Sequence, residues 1–272
     1  MTKKTYKKSY PVKKAKVRAP KIIIKGDLLY GLHAAIEALK NPVRKIDAIY
    51  VTEKLWYGDT RAKTTGLIET LDISNLPDPK IIEKDELDYN FGKNVVHQGL
   101  AIDAKPLEET FLSDLIIKSK TREKSVILML DQVTDPHNIG AIIRSAAAFG
   151  VLGIIGQTRH MPDYISPVCA KIASGGVEHV PIAREVNLSD TLKKLLKAGF
   201  TCIGLDERGE ATLSQTPKTD KVVIVLGAEG TGLRPKIAET CTYLARLPTQ
   251  PPIESLNVSN AAAIALYDTC LE

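Results

Sequence analysis

The 272-residue sequence lacks the features that mark membrane-spanning, disulfide-rich and zinc-binding proteins. Its longest apolar runs, such as residues 222–226, fall far short of the roughly 18 residues that cross a bilayer, so no membrane partner is expected. The four cysteines contain no CxxC pair, which predicts reduced thiols in a cytoplasmic protein rather than a disulfide framework. His137, His160 and His179 show no ligand spacing, and no metal is predicted.

Acidic residues are absent from the first 25 positions, which hold ten of the 37 lysines and arginines. A tail of charge +10 therefore precedes a body of charge −5. With almost no apolar residue before Ile22, the tail cannot bury enough surface to offset its ordering entropy, and we expect it to be disordered. Two roles remain open for it: a solubilising extension, or an arm that binds a polyanion such as RNA.

The rest of the chain divides into two predicted domains. Residues 26–105 form a small α/β unit with a helix over 31–40, a strand over 45–52 and a second apolar segment over 99–104. Residues 106–122 are predicted to be a linker with one weak helical period. From residue 123 onward, continuous apolar runs alternate with helical stretches, which is typical of a parallel sheet buried on both faces. The predicted strands cover 126–130, 151–155, 177–182, 200–205 and 222–226, and the predicted helices cover 139–149, 189–198 and 260–271.

Ligands of such sheets bind in loops at the carboxyl ends of the strands. The loop after the first strand enters a helix that is apolar nearly all round except for Arg144. In one interpretation Arg144 lies across Gly140, reaches the helix start beside Asn138 and forms an anion site for a phosphate or a developing oxyanion. In the other, Asn138 is a plain N-cap and Arg144 forms an ion pair with Asp131 or Asp135.

Two later loops also carry polar residues. The glycine-rich loop over 226–233 (LGAEGTGL) holds a single acid, Glu229, among glycines that permit close backbone approach to a ligand. It matches neither GxGxxG nor GxxxxGK[ST], and a tight turn is the simpler explanation of any single glycine. The loop over 247–260 brings several hydroxyls and amides, including Ser255 and Asn257, to one helix start. These groups indicate either a ligand site or an elaborate cap.

Taken together, the three loops resemble, in order and content, the three motifs of the SpoU family of RNA ribose 2′-O-methyltransferases. Motif one is the NxGxxxR that begins at Asn138, motif two is the LGAEGxG from Leu226, and motif three is the SLNVSNAAA from Ser255. The first domain adds YGLHAAIEAL and HQGLA, which look like the RNA-binding domain of bacterial 23S rRNA guanosine-2′-O-methyltransferases. The resemblance covers nearly all of the chain after Asp27.

The resemblance implies a homodimer that transfers a methyl group from S-adenosylmethionine to a ribose of RNA, not DNA, with a guanosine of 23S rRNA as the target. It also implies an α/β catalytic domain with a trefoil knot. It assigns catalysis to Arg144, Asn138, Glu229, Ser255 and Asn257, and cofactor contacts to Leu226, Gly227, Leu247, Leu256 and Asn257. We interpret Arg144 as an electrostatic clamp, because a guanidinium does not deprotonate in proteins.

Two other functions remain open. One is the same chemistry on a tRNA ribose. The other is a non-catalytic RNA-binding factor for ribosome assembly, because Pro251 stands where related sequences commonly have a glycine, and proline removes an amide donor. We expect RNA contacts from the first domain and the tail, where His33 and His97 either stack on unpaired bases or serve as packing residues.

Overall fold

The computed structural model describes residues 22–59, 64–72, 74–159, 166–253 and 255–270. Most of the predicted basic tail thus lies outside the described residues. Residues 22–25, the last four positions of the predicted tail, are described, and Ile24 is buried. Its backbone N–H donates to Oδ1 of Asn90 at 2.9 Å. The predicted tail boundary at residue 25 therefore falls within a segment that packs on the first domain.

The first domain is a small α/β unit. Its elements are β1 (Leu28–Tyr30), α1 (Leu32–Lys40), β2 (Ile46–Val51), α2 (Glu53–Tyr57), β3 (Gly58–Asp59), β4 (Thr64–Thr65), a 3₁₀ turn (Leu67–Glu69), β5 (Pro79–Ile81), α3 (Lys84–Phe91) and β6 (Leu100–Ala104). The main sheet has the order β1–β6–β2–β5, with β6 antiparallel to both neighbours and β5 parallel to β2. The predicted helix and both predicted apolar segments are confirmed as α1, β2 and β6.

The second domain is built on a parallel sheet. Its elements are α4 (Leu112–Ser119), β7 (Ser125–Leu130), α5 (Pro136–Ala148), β8 (Gly153–Gln157), α6 (Pro167–Ile172), a 3₁₀ turn (Gly176–Glu178), β9 (Ile182–Glu185), α7 (Leu188–Lys197), β10 (Thr201–Leu205), β11 (Ala211–Thr212), a 3₁₀ turn (Leu213–Gln215), β12 (Lys221–Leu226), α8 (Pro235–Thr240), β13 (Tyr243–Arg246) and α9 (Val258–Cys270). The seven strands described there are all parallel, in the order β11–β13–β10–β12–β7–β8–β9. The predicted α/β class is confirmed, and the trefoil knot stays a prediction.

Helices on both faces explain why the central strands are continuously apolar. All six residues of β7 are buried. Val126, Leu128 and Leu130 point to the core under α5 and α9, whereas Ile127 and Met129 point to the core under α4 and α7. A strand covered on one side only would alternate apolar and polar residues. No helix in the described parts of the chain has the length and apolar character to cross a membrane.

Two predicted segments differ from the structure. The apolar run over 177–182 is not a strand, because Val177 and Val180 pack into the core beside α5 and the strand begins only at Ile182. The predicted linker over 106–122 contains α4, whose buried face joins the core of the second domain. In both segments, packing against a distant element decides a structure that the local pattern left ambiguous.

Candidate active site

Side chains from the three polar loops meet: the amides of Asn138 and Asn257 both contact the carboxylate of Glu229. The Nδ2 of Asn257 donates to Oε1 of Glu229 at 2.6 Å and to Oδ1 of Asn138 at 2.9 Å. The Nδ2 of Asn138 donates to the same oxygen of Glu229 at 3.1 Å. These residues lie at the start of α5, after β12 and before α9. The loops that the sequence singled out therefore form one hydrogen-bonded cluster.

The caps of the two helices show why these amides are free to join the cluster. Asp135 is the N-cap of α5, where its Oδ1 accepts from the N–H of His137 at 3.0 Å. Asn138 thus lies in the first helical turn, and its interpretation as an N-cap is wrong. Asn257 serves both purposes: its Oδ1 accepts from the N–H and the hydroxyl of Ser259 at 2.9 and 2.6 Å, while its Nδ2 reaches the cluster.

A cavity of about 590 Å³ opens beside this cluster, at the carboxyl ends of β10, β12 and β13. Its walls include Leu205–Arg208, Leu226–Gly232, Leu247, Thr249, Ser255–Val258 and Ala261. The five residues that the resemblance assigned to cofactor contact all line it, as do Glu229 and Ser255. Neighbouring parallel strands end at the same edge of a sheet, which is why loops far apart in sequence converge there.

Backbone forms much of one wall. The N–H of Gly232 donates to the carbonyl of Ala228 at 2.9 Å, which closes the glycine-rich loop into a tight turn. A Cβ at Gly227 would lie 2.3 Å from the carbonyl carbon of Gly232, so no other residue fits there. Gly230 and Gly232 have φ of +79° and +65°, where glycine is favoured. The loop is thus a tight turn and a ligand-accessible wall at once.

Two arginine–aspartate pairs hold the far end of this loop. The fully buried Asp131, after β7, accepts from Nη2, Nε and the backbone N–H of Arg234 at 2.6, 2.7 and 3.0 Å. Asp206, after β10, accepts from Nε and Nη2 of Arg208 at 2.7 and 2.6 Å. Hydrogen bonds from Arg208, together with the backbone N–H of Leu233, hold the pKa of Asp206 below its ordinary value. The loop is therefore fastened to two strand ends.

Sequence reasoning missed Asp206 and Arg208. They directly follow the predicted strand over 200–205, so the rule that ligands bind at the carboxyl ends of parallel strands could have identified them. The three loops singled out from the sequence were each tied to an apolar helix or strand pattern, whereas this loop leads to the short strand β11.

Arg144 does not face the cofactor-sized cavity. It follows Asn138 by six residues, which places it about 9 Å further along the helix and about 120° around its axis. It cannot lie across Gly140, because a Cβ there would already be 2.8 Å from the carbonyl O of Cys169 in α6. Both predicted positions for its side chain are therefore wrong: Asp131 is paired with Arg234, and Asp135 serves as a cap.

Instead, Arg144 is exposed and lines a second cavity of about 310 Å³ at the junction of the two domains. His33 and Glu37 of α1 form one side, and Ser174 and His179 lie on the other. Among the described residues, Arg144 has no hydrogen bond or ion pair, so its guanidinium is available to a ligand.

Carboxylates at this junction are already committed to other partners. Glu37 accepts from Nζ of Lys40 and lies 3.0 Å from Nε2 of His179. Glu178 accepts from Nδ2 of Asn41 at 2.8 Å. The contacts of Glu37 with His179 and of Glu178 with Asn41 cross between the domains and hold the first domain beside α5.

His97 is a packing residue and not a base-stacking one. It is 2% exposed, its Nε2 lies 2.9 Å from Oδ1 of Asp88, and its Nδ1 accepts from the N–H of Gly99 at 3.1 Å. The next residue, Gln98, has a positive φ and accepts from the N–H of Leu32 at the start of α1. The HQG segment therefore shapes a turn. His33, by contrast, lies at the domain junction on the wall of the second cavity.

The protein is an α/β protein whose parallel sheet carries a backbone-lined cavity at its carboxyl edge, beside a cluster of two asparagines and one glutamate. The SpoU rRNA Methylase family model matches residues 125–267, and the model for RNA 2′-O ribose methyltransferase substrate binding matches residues 28–110. The chain belongs to the SpoU rRNA methylase family, as its motifs predicted.

Individual relatives agree with this assignment. The chain is 36% identical to the 23S rRNA (guanosine-2′-O-)-methyltransferase RlmB of Coxiella burnetii, over 88% of this chain and 93% of that one. It is 37% identical to an uncharacterized tRNA/rRNA methyltransferase of Synechocystis, over 89% of this chain but only 62% of that protein. The same fold occurs in the SpoU methyltransferase AviRb from Streptomyces viridochromogenes, solved in complex with AdoMet (TM-score 0.70, 22% identity, 89% and 88% of the two chains covered).

Proposed function

We propose that this chain transfers the methyl group of S-adenosylmethionine to a ribose 2′-hydroxyl of RNA, with a guanosine of 23S rRNA as its target. The observation that carries the proposal is the Asn138–Glu229–Asn257 cluster beside the cavity, which joins the three family motifs in space. Relatives named 23S rRNA (guanosine-2′-O-)-methyltransferase, at 31–36% identity, support the choice of target.

The larger cavity suits the cofactor. Its volume lies within the range of roughly 300–1,000 Å³ found for small-molecule sites. Glycine backbone on one side and the apolar side chains of Leu226, Leu247 and Leu256 on others would hold a flat base and a ribose. When bound, the cofactor supplies a methyl group on a positively charged sulfur.

The ribose hydroxyl is a weak nucleophile, so the protein must stabilise the oxygen as its proton leaves. Glu229, oriented by Asn138 and Asn257, and the nearby Ser255 are positioned to bind and orient the ribose at the cavity edge. Arg144 would clamp the adjacent phosphate and the developing alkoxide with its fixed positive charge.

Arg144 does not line the larger cavity of its own chain. We propose that the protein is a homodimer and that Arg144 of one protomer acts at the cavity of its partner. Helices α5 and α9 pack side by side. Ile264 and Tyr267 on α9 are 46% and 64% exposed, and Arg144 and Ala148 are exposed on α5. A two-fold pairing through these helices would bury the apolar residues and bring Arg144 of one protomer toward the cavity of its partner.

Methyl transfer tests the reaction directly. Purified protein is incubated with S-adenosylmethionine carrying a radioactive methyl group and with 23S rRNA or tRNA transcripts, and ribose methylation is mapped by nucleotide. We expect label in 23S rRNA at a guanosine, abolished in Glu229→Ala and retained in the surface control Lys193→Ala. Label only in tRNA would overturn the target, and absence of label from both RNAs would overturn the activity.

Arg144→Lys tests the role of the guanidinium. This variant keeps the charge but loses the fork that binds two oxygens at once, and we expect a loss of methyl transfer of at least about tenfold. Normal turnover would show that the fork is not needed.

Mixed dimers test whether Arg144 acts across the interface. Co-expression of Arg144→Ala and Glu229→Ala chains, each inactive alone, would yield about half heterodimers. Each heterodimer would hold one complete site if the arginine acts in the partner's cavity, giving about a quarter of wild-type activity. No recovered activity would show that Arg144 serves its own chain.

We propose further RNA contacts for the first domain and the basic N-terminal residues. We also propose that the protein acts in the cytoplasm, where its four free thiols would stay reduced. Because Ile24 is packed, a truncation should remove only residues 1–21. We expect the plot of log affinity against log salt to become shallower by about 0.7 for each phosphate of a single strand that the removed lysines had neutralised. An unchanged slope would leave the tail only a solubilising role.

A further inference from the structure

Acidic side chains outnumber basic ones on the walls of the larger cavity. Among the described residues that line it, Asp206, Glu207 and Glu229 are carboxylates, whereas Arg208 is the single guanidinium. A ligand with an anionic group has therefore one cation to bind there. S-adenosylmethionine carries two positive centres, a sulfonium and an ammonium, and one carboxylate. Its mostly positive charge is therefore complementary to the mostly negative side chains of the cavity.

Existing contacts leave one side of Arg208 open. Asp206, whose side chain is 5% exposed, occupies the edge of the guanidinium formed by Nε and Nη2. Among the described residues, Nη1 has no hydrogen-bond partner, and the side chain is 62% exposed. Nη1 is thus free to bind the carboxylate of a ligand through charge-assisted hydrogen bonds.

The buried aspartate also fixes the arginine in place. The backbone N–H of Arg208 donates to Oδ1 of Asp206 at 3.0 Å, and its Nη2 lies 3.5 Å from the carbonyl of Leu233 at the end of the glycine-rich loop. A guanidinium held at two points loses little further freedom when it binds a ligand. Arg208 is therefore a preorganised donor on the cavity wall.

We propose that Arg208 forms a carboxylate-binding subsite for the amino-acid end of the cofactor, oriented by Asp206. This inference deepens the proposed function, since it rests on S-adenosylmethionine being the ligand of this cavity. Its consequence is selectivity: ligands that keep the amino-acid end should gain affinity from Arg208, and ligands that lack it should not.

Calorimetric titration of the full chain with two stable ligands tests this. S-adenosylhomocysteine keeps the carboxylate, whereas 5′-methylthioadenosine has the same nucleoside without the amino-acid end. We expect Arg208→Ala to weaken S-adenosylhomocysteine binding by at least about tenfold, as expected for loss of a charge-assisted hydrogen bond, and to change 5′-methylthioadenosine binding less than about twofold.

Conservative variants separate recognition from loop structure. Arg208→Lys keeps a charge but not the fork, so it should retain only part of the selectivity. Asp206→Asn keeps the guanidinium but weakens the hydrogen bonds that orient it, so it should reduce the preference for S-adenosylhomocysteine without removing it. Equal weakening of both ligands by Arg208→Ala would show that the arginine only supports the loop, and would overturn the subsite.

The assay contains no RNA, which separates this inference from the proposed function. A chain that binds S-adenosylhomocysteine through Arg208 but methylates no RNA would contradict the proposed reaction and leave the subsite intact. A wild-type chain that binds neither ligand would overturn both.

Discussion

Removing Arg234 should destabilise the protein more than removing the charge of its partner Asp131. The two residues form one ion pair, but their surroundings differ: Asp131 is fully buried, whereas the Arg234 side chain is 35% exposed. Arg234→Ala leaves a buried carboxylate with a single backbone donor, which costs about 3–5 kcal/mol. Asp131→Asn leaves an oxygen for that donor and an arginine that can turn to water, which costs about 1–2 kcal/mol.

Urea denaturation followed by circular dichroism measures both losses as shifts of the midpoint at an unchanged slope. The matched control is Arg122→Ala, because Arg122 is exposed and, within the described parts of the chain, its side chain bonds only the carbonyl of Gly150, at 3.3 Å. We expect it to change stability by less than about 0.5 kcal/mol. Because Arg234 directly follows the glycine-rich loop that lines the larger cavity, Arg234→Ala should also weaken S-adenosylhomocysteine binding. Equal losses for the two partners, or a larger loss for Asp131→Asn, would refute the reasoning from burial.

Three further predictions follow from close contacts and burial. Gly140→Ala should destabilise the protein by about 1–3 kcal/mol in thermal unfolding, because its Cβ would force α5 away from α6; an unchanged Tm would contradict this. The hydrogen bond from Lys40 lowers the pKa of Glu37 below its ordinary 4.5, so the stability difference between wild type and Glu37→Gln should be full above that pH and vanish as pH falls through the lowered value. Burial raises the pKa of Cys202 and Cys241 to about 12, so thiol reagents at pH 8 should label them only after unfolding.

Local patterns predicted much of the fold because they report burial. Strands β7, β10 and β12 were found from continuous apolar runs, and α7 from its helical period. Short elements such as α6 and β13 were missed, since four to six residues carry too little periodicity to distinguish helix from strand.

The order and content of the three motifs determined, without coordinates, the family, and they singled out Asn138, Glu229 and Asn257, which meet in the structure. Only the tertiary structure decided how they gather. The hydrogen bonds of Asn138 to Glu229 and to Asn257 span 91 and 119 positions, and no local pattern can set such contacts. The same holds for Arg144, which the packing of Gly140 against α6 turns toward the domain junction. The sequence specifies which side chains lie on each face of a helix. Which of these faces points toward a cavity depends on the elements that pack against the other faces of the same helix.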